Sequence, residues 1–446
     1  MLDEYRITRS DQIRVVATNA VREAENRLAF LDRIYIATGF QVEPTDEAEV
    51  SRITYLGIQP QLRSEPAFAT ATALVLNVGG GSTEVLVVRG GDVLFSHSYK
   101  LGSLRLREML EAYRAPAEQL RNIMESQVRR TAEQIVQQVT GHDNLEMVAL
   151  GEDVRFAASQ LRSGAAPDTL ERVSIRALEK LVDQVLDTSI DGLVRDFHVT
   201  FADAETLGPA LLTHVSLARA LKLKDIYVSS VDFRDGLLRE MVGASRWTEE
   251  SAKPIIQSVV ELGRKYRFDE RHARHVAELA KMLFQQLQVE HGLDAHNQLI
   301  LYVAALLHEI GVFVSAVGHH KHTFYLITNS ELFGLRAQDL DLIGLVARYH
   351  RRGSPKPSHE KYATLDREQR VAVVKLAAML RVADALDRSR SQRIQQFSCQ
   401  RDNGRLIVSI PDVSDLSLEE LALKEKGPLF EEIFGMQVLL RKVGSA

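Results

Sequence analysis

With 446 residues, 45% hydrophobic and 26% charged, the chain has room for about two to four domains of ordinary globular composition. A formal net charge of −5 excludes polyanion binding by bulk charge, so any anion site must be local. One cysteine, Cys399, excludes internal disulfides and cysteine-based zinc sites. No apolar run reaches the length of a membrane span, and the N-terminus has no signal-peptide pattern, so a cytoplasmic protein is expected.

In chain order, residues 13–17 read as a strand. Thr18 stands where it would cap a following helix, with Val21, Ala24, Leu28, Leu31 and Ile34 on its buried side and Gly39 at its end. Residues 40–42 restart as strand, 47–56 as a short helix, and 57–71 as polar loop. Then comes the stretch that organises the chain, Asn77-Val78-Gly79-Gly80-Gly81-Ser82-Thr83-Glu84, between strand patterns at 73–76 and 85–88, with a third strand at 93–99 after Gly90-Gly91. A tight glycine loop between two strands presents backbone N–H groups with no Cβ in the way, a cradle for phosphate. Glycines alone fit a plain hairpin as well. Helices are expected at 102–113, 116–139, 173–188, 203–221 and 234–241, and strands at 146–150 and 225–229. Alternation of this kind implies a mixed or parallel α/β sheet. A domain boundary is expected at 243–254, around Trp247. Beyond it the pattern is helical to about residue 393. Strands at 397–400 and 406–410 then flank Asp402-Asn403-Gly404, a hairpin signal, followed by a helix at 416–434 and a third strand at 436–440.

These pieces, in this order, resemble the exopolyphosphatase/guanosine pentaphosphate phosphatase (Ppx/GppA) family. The resemblance is carried by residues 17–26, by the glycine loop, by Leu101-Gly102-Ser103-Leu104-Arg105-Leu106, and by 229–240 with Phe233-Arg234-Asp235-Gly236-Leu237-Leu238. In the second half it is carried by His308-Glu309-Ile310-Gly311, by 318–322 and by 348–352. It implies an α/β actin/hexokinase-like ATPase (ribonuclease H-like) fold at 1–70 and 71–245, an all-helical HD-like domain at 246–390, and a small α+β cap at 391–446. It also implies Mg²⁺-dependent hydrolysis of terminal phosphoanhydrides in polyphosphate or guanosine pentaphosphate, by a homodimer. Gly79, Gly80, Gly81, Ser82 and Thr83 would hold phosphate. Glu84 would hold metal or orient water, Asn77 would offer an amide oxygen to the metal, and Arg22 and Arg234 would neutralise substrate charge.

Three departures from the family pattern bear on that chemistry. The family begins with a strand–loop–strand carrying a first phosphate loop. This chain starts beyond it, so half of the clamp and part of the first sheet are expected to be missing. Asn77 stands where the family has aspartate, which removes a charge from the metal site. Seven residues before Gly57, where the family has its catalytic glutamate, stands Val50, with Glu49 turned elsewhere if the segment is helical. Further on, Gly151-Glu152-Asp153 replaces a glycine-rich turn, and two carboxylates there repel an anion.

His272, His308-Glu309 and Asp384 follow the order of the metal ligands in HD phosphohydrolases, with glutamate in place of the central aspartate. The resemblance implies a structural descendant without a working metal centre, its histidines bonding locally. Basic groups in this half (His319, His320, Lys321, His322, Arg348, His350, Arg351, Arg352, Lys356, Arg381, Arg388, Arg390) would form an anion channel if they converged. A nucleic-acid surface needs a basic and aromatic stripe and is disfavoured. Three readings follow: a phosphoanhydride hydrolase, a non-catalytic sensor of polyphosphate or guanosine polyphosphates, and an HD-type hydrolase.

Overall fold

The computed structural model describes residues 13–112, 117–139, 144–161, 169–242, 249–351, 353–356 and 358–443. Trp247, Arg352 and half of the expected boundary at 243–254, residues 243–248, lie outside them. The chain divides into two compact units, Met1–Arg246 and Trp247–Ala446. Among the described residues no helix is long and apolar enough to cross a membrane.

The first unit opens with two short parallel strands, β1 (Val15–Ala17) and β2 (Val42–Pro44). Between them lie two helices, Asn19–Glu23 and Arg27–Thr38, where one was expected. Thr18 is the N-cap residue, but its side chain makes no capping hydrogen bond. The expected buried side is only half-buried: Val21, Ala24, Leu31 and Ile34 are partly covered, and Leu28 is exposed. No residue of Arg27–Thr38 is buried, and Leu28, Phe30, Tyr35 and Ile36 are exposed. Two three-residue strands are too narrow a sheet to cover that helix.

The main sheet has six strands: β3 (Thr72–Val78), β4 (Thr83–Arg89), β5 (Asp92–Tyr99), β6 (Leu145–Leu150), β7 (Glu171–Ser174) and β8 (Asp225–Val228), in the order β5-β4-β3-β6-β8-β7. β3 runs parallel to β6, and β6 to β8, while β4 and β5 are antiparallel neighbours on one side. This strand order suits the ribonuclease H-like sheet expected from the sequence. β3 is buried on both faces except at Asn77, as a central strand must be. The short edge strand β7 and the helices Glu152–Leu161 and Ile190–Phe197 were not legible in the sequence.

The helix expected at 47–56 runs on to Ser64, and a 3₁₀ turn, Pro66–Ala69, follows, so most of 57–69 is not loop. Gly57 and Pro60 look like breakers, yet both lie inside the helix. Gly57 is there because Val231 Cγ1 would lie 2.9 Å from any Cβ, and a Cβ on Gly236 would lie 2.0 Å from the Ile53 carbonyl oxygen. The helices Glu47–Ser64 and Phe233–Val242 thus cross at two glycines. Arg14 and Arg52 lock the crossing by pairing with Glu240, and Arg14 also reaches Glu49 at 3.3 Å.

In the second unit, helices including Glu270–Gln286, Ala295–Leu307, Ala337–Arg348 and Arg367–Leu386 pack around the last of these, whose residues 376–386 are all buried. Strands β9 (Ser398–Asp402), β10 (Arg405–Pro411) and β11 (Gln437–Val443) form a sheet in the order β11-β10-β9. Asn403 and Gly404 at the β9–β10 turn have φ of +43° and +74°, the positive values of a two-residue hairpin turn. The helix expected at 416–434 is two helices, Ser417–Lys426 and Pro428–Phe434, because Pro428 has no N–H with which to continue the first.

Candidate functional site

The glycine loop joins β3 to β4, and its shape is set by the turn that follows β5. The Ser103 N–H donates to the Gly79 carbonyl at 3.0 Å, and the Arg105 N–H to that of Gly80 at 3.0 Å. In a trans peptide the N–H opposes the C=O. The N–H groups of Gly80 and Gly81 therefore point away from the Ser103–Ala112 helix. No backbone acceptor meets them, or the Ser82 N–H, among the described residues. Gly80 and Gly81 border a cleft of about 840 Å³ also lined by Asn19, Val50, Asn77, Glu84, Arg105 and Phe233, among others, whereas Ser82 is buried and does not line it. Adjacent amide donors on one edge can hold an oxyanion.

Two expected donors are spent elsewhere. The Gly79 N–H bonds to the Ser82 carbonyl at 2.8 Å and closes the turn. Thr83 is fully buried opposite Val78 in the β3–β4 ladder, and its hydroxyl donates to the Leu101 carbonyl. The register of β4 turns that side chain into the sheet. None of Gly79, Gly80 and Gly81 has a positive φ, and a Cβ on Gly80 or Gly81 would meet the protein only at 3.5 and 3.8 Å. Gly102 is needed for packing: a Cβ there would lie 2.2 Å from the Gly80 oxygen and 2.5 Å from the Gly81 carbonyl carbon. Gly102→Ala is expected to displace the loop and cost about 1–3 kcal/mol, as overpacking does. It should lower the thermal midpoint and weaken pyrophosphate binding together, which scanning calorimetry and titration calorimetry check.

Glu84 ends this constellation. Its Oε2 accepts from Asn77 Nδ2 at 2.8 Å, and its Oε1 from Ser82 Oγ at 3.2 Å; Ser82 Oγ accepts in turn from Asn19 Nδ2. Burial pushes the Glu84 carboxyl up to about 7, against the pull of the Asn77 and Ser82 hydrogen bonds. Asn77 therefore turns its nitrogen, not its oxygen, towards the carboxylate, and is not placed as a metal ligand beside it.

The two expected arginines are not in the cleft lining. Arg22 donates to the Thr45 carbonyl and to Glu47 at 3.1 Å each, and to Asn19 Oδ1. Arg234 is 75% exposed and is clamped by Asp232. Arg105, which does line the cleft, pairs with Glu23 at 2.7 Å. Glu49 faces Arg14 as its helical position requires, and Val50 faces the cleft. Sequence reasoning missed Asn19 and Arg105 as site members, although both lie inside motifs it had singled out.

The Ppx/GppA phosphatase family model matches residues 2–245, and the model of Ppx/GppA phosphatase domain III matches 256–426. The chain belongs to the Ppx/GppA phosphatase family. Similar curated Ppx/GppA relatives include the guanosine-5′-triphosphate,3′-diphosphate pyrophosphatase of Photobacterium profundum, 23% identical over 90% of this chain and 78% of the relative. The enzyme of the same name from Pseudoalteromonas atlantica is 24% identical over 90% and 77%. Among solved structures, the Aquifex aeolicus Ppx/GppA member is 20% identical with a TM-score of 0.44, over 54% of this chain and 76% of that one. An exopolyphosphatase from Cytophaga hutchinsonii is 18% identical with a TM-score of 0.47, over 54% and 77%.

The Mg²⁺ expected from Ppx/GppA resemblance finds one anionic anchor at the loop, Glu84. Mg²⁺ is commonly held by one or two carboxylates together with substrate phosphates and water. The donor set fits an ion that arrives with its phosphates, and does not fit one caged by protein alone. The other cleft carboxylates are Glu23, bound to Arg105, and Glu108.

In the Ppx/GppA helical unit, three of the basic residues expected to line an anion channel are engaged or buried instead. Arg381 is buried and donates to the Tyr349 carbonyl at 2.7 Å and that of Gly353 at 2.6 Å, its pKa lowered by burial to about 10. Arg390 binds Asp269 and Glu309, and His350 is buried. His272, His308, Glu309 and Asp384 do come together. His272 Nε2 and His308 Nε2 lie 3.7 and 3.9 Å from Asp384 Oδ1.

Proposed function

We propose that this chain hydrolyses terminal phosphoanhydride bonds, of guanosine pentaphosphate or of inorganic polyphosphate, at the glycine-loop cleft, and does so slowly. The amides of Gly80 and Gly81 grip the terminal phosphate. Glu84 takes the proton of the attacking water. A Mg²⁺ carried with the substrate supplies the charge neutralisation that phosphoryl transfer needs. The observation that carries this reading is Glu84 itself: a carboxyl on the cleft wall, beside the amide edge, raised to about 7. A general base works best when its pKa is near the working pH. The names of the curated relatives support guanosine pentaphosphate as the first substrate to try. Low turnover follows from Val50, which puts an isopropyl group on the cleft where a second carboxylate would serve.

A second reading, binding without turnover, is favoured by the same Val50 and by Asn77, which satisfies Glu84 with a neutral amide. The assay is phosphate release from guanosine pentaphosphate and from long-chain polyphosphate, with and without Mg²⁺. Mg²⁺-dependent release lost in Glu84→Gln supports hydrolysis at the loop. Saturable binding with no release in wild type supports the second reading. Release that survives in that variant refutes both.

A further inference from the structure

The first unit has a pocket of about 180 Å³ bordered by the helix Glu47–Ser64, the 3₁₀ turn Pro66–Ala69 and the Gly90–Gly91 turn. It shares no lining residue with the glycine-loop cleft. Its walls belong to the core: Tyr55, Leu62, Phe68, Ala71, Ala73 and Val88 are at most 8% exposed. Two of them are aromatic rings held in place. Phe68 packs edge-on against Tyr227, with ring centroids 5.2 Å apart. The Tyr55 hydroxyl donates to the Gly91 carbonyl and accepts from Gln59 Nε2 at 2.8 Å. Its one proton is therefore already committed.

Size and lining together define what fits. An apolar cavity of about 150 Å³ takes one benzene ring, and this pocket is of that size. The alanines at 69, 71 and 73 put no more than a methyl group each towards it. Arg63 also lines it, is exposed, and has no ion pair or side-chain hydrogen bond among the described residues. Burial raises the Tyr55 hydroxyl above its ordinary value, while the Arg63 charge acts on it from nearby in the opposite direction. Glu65, the acid closest in sequence, is turned to the Ala67 N–H at 3.5 Å. A guanidinium meets a carboxylate through two parallel N–H donors. No carboxylate, histidine or cysteine lines the pocket, so it is equipped to hold a ligand and not to transform it.

We infer that this pocket binds a small aromatic carboxylate, its ring against Phe68 and Tyr55 and its charge on Arg63. A neutral ring would lack the anchor, and a short aliphatic acid would lack the apolar area whose burial drives binding. The inference does not depend on the hydrolysis proposed above.

The full chain labelled with ¹⁵N-glycine is titrated with sodium benzoate, sodium acetate and benzyl alcohol, and followed by nuclear magnetic resonance. The Gly90 and Gly91 amides are expected to shift saturably with benzoate, at a dissociation constant of about 1 mM, within reach of a single ring with one charged anchor. Gly80 and Gly81 should stay in place. Acetate and benzyl alcohol should each bind at least about tenfold more weakly, the scale of one lost charge-assisted contact. Arg63→Met, at an exposed position with no partner to lose, should weaken benzoate by about the same factor and leave benzyl alcohol unchanged. Glu84→Gln should bind benzoate as wild type does. The inference is overturned if Gly90 and Gly91 do not respond to benzoate, if acetate binds as tightly as benzoate, or if Arg63→Met binds benzoate as tightly as wild type.

Discussion

Val50→Glu is expected to raise the rate of phosphate release by about 10²-fold or more, the usual scale for a well-placed general base. Val50 lies on the Glu47–Ser64 helix and borders the same cleft as Glu84 and the glycine loop. That helix is held by the glycine crossing at Gly57 and Gly236 and by the pairing of Arg14 and Arg52 with Glu240, so a longer side chain at 50 would extend into the cleft rather than move the helix. The gain should appear in kcat with KM little changed, because the amide edge that binds phosphate is untouched. Steady-state phosphate release measures it. An unchanged kcat in a folded variant would mean that position 50 does not reach the attacking water.

The second large effect is at Glu84. Glu84→Gln is expected to remove turnover, by about 10²-fold at least, and to change the dependence of stability on pH. The folded protein raises this carboxyl from 4.5 to about 7, so the native state holds the proton more tightly than the unfolded chain. The stabilisation is fully present below about pH 4.5 and is lost as pH rises through about 7. The difference amounts to about 3 kcal/mol at 1.36 kcal/mol per pH unit. Wild type should therefore lose that much between pH 4.5 and 8 relative to Glu84→Gln, whose amide does not titrate. Denaturant melts of both proteins at the two pH values measure it. Parallel pH profiles would show that Glu84 is not buried as described.

Much of the sheet could be read from sequence because its signals are local. Gly90 and Gly91 have φ of +61° and +90°, as a tight turn between two strands demands, and Asn403-Gly404 marks the later hairpin in the same way. What misled were signals whose meaning is tertiary. Gly57 and Pro60 look like the end of a helix, yet Gly57 exists to let another helix approach. Val21, Ala24, Leu28, Leu31 and Ile34 have helical spacing, but spacing does not guarantee a neighbour to bury against. At the site, the sequence marked the loop and Glu84 by their motif and Val50 by the resemblance, and the structure brings Gly80, Gly81, Glu84 and Val50 to one cleft. Thr83 was misassigned because strand register, invisible in a motif, points its hydroxyl at Leu101. Arg22 and Arg234 were misassigned because carboxylates 25 residues away or two residues away claim them. The buried histidine cluster draws on helices more than a hundred residues apart, and exists only once those helices pack.

The central claim is that the amides of Gly80 and Gly81 face the cleft and take an oxyanion. The direct measurement is nuclear magnetic resonance of the chain labelled with ¹⁵N-glycine, titrated with pyrophosphate and Mg²⁺. The Gly80 and Gly81 amide resonances are predicted to shift saturably while those of Gly90 and Gly91 stay in place. If Gly80 and Gly81 do not move at saturating pyrophosphate, or move no more than Gly90 and Gly91, the loop is a hairpin turn and no phosphate site.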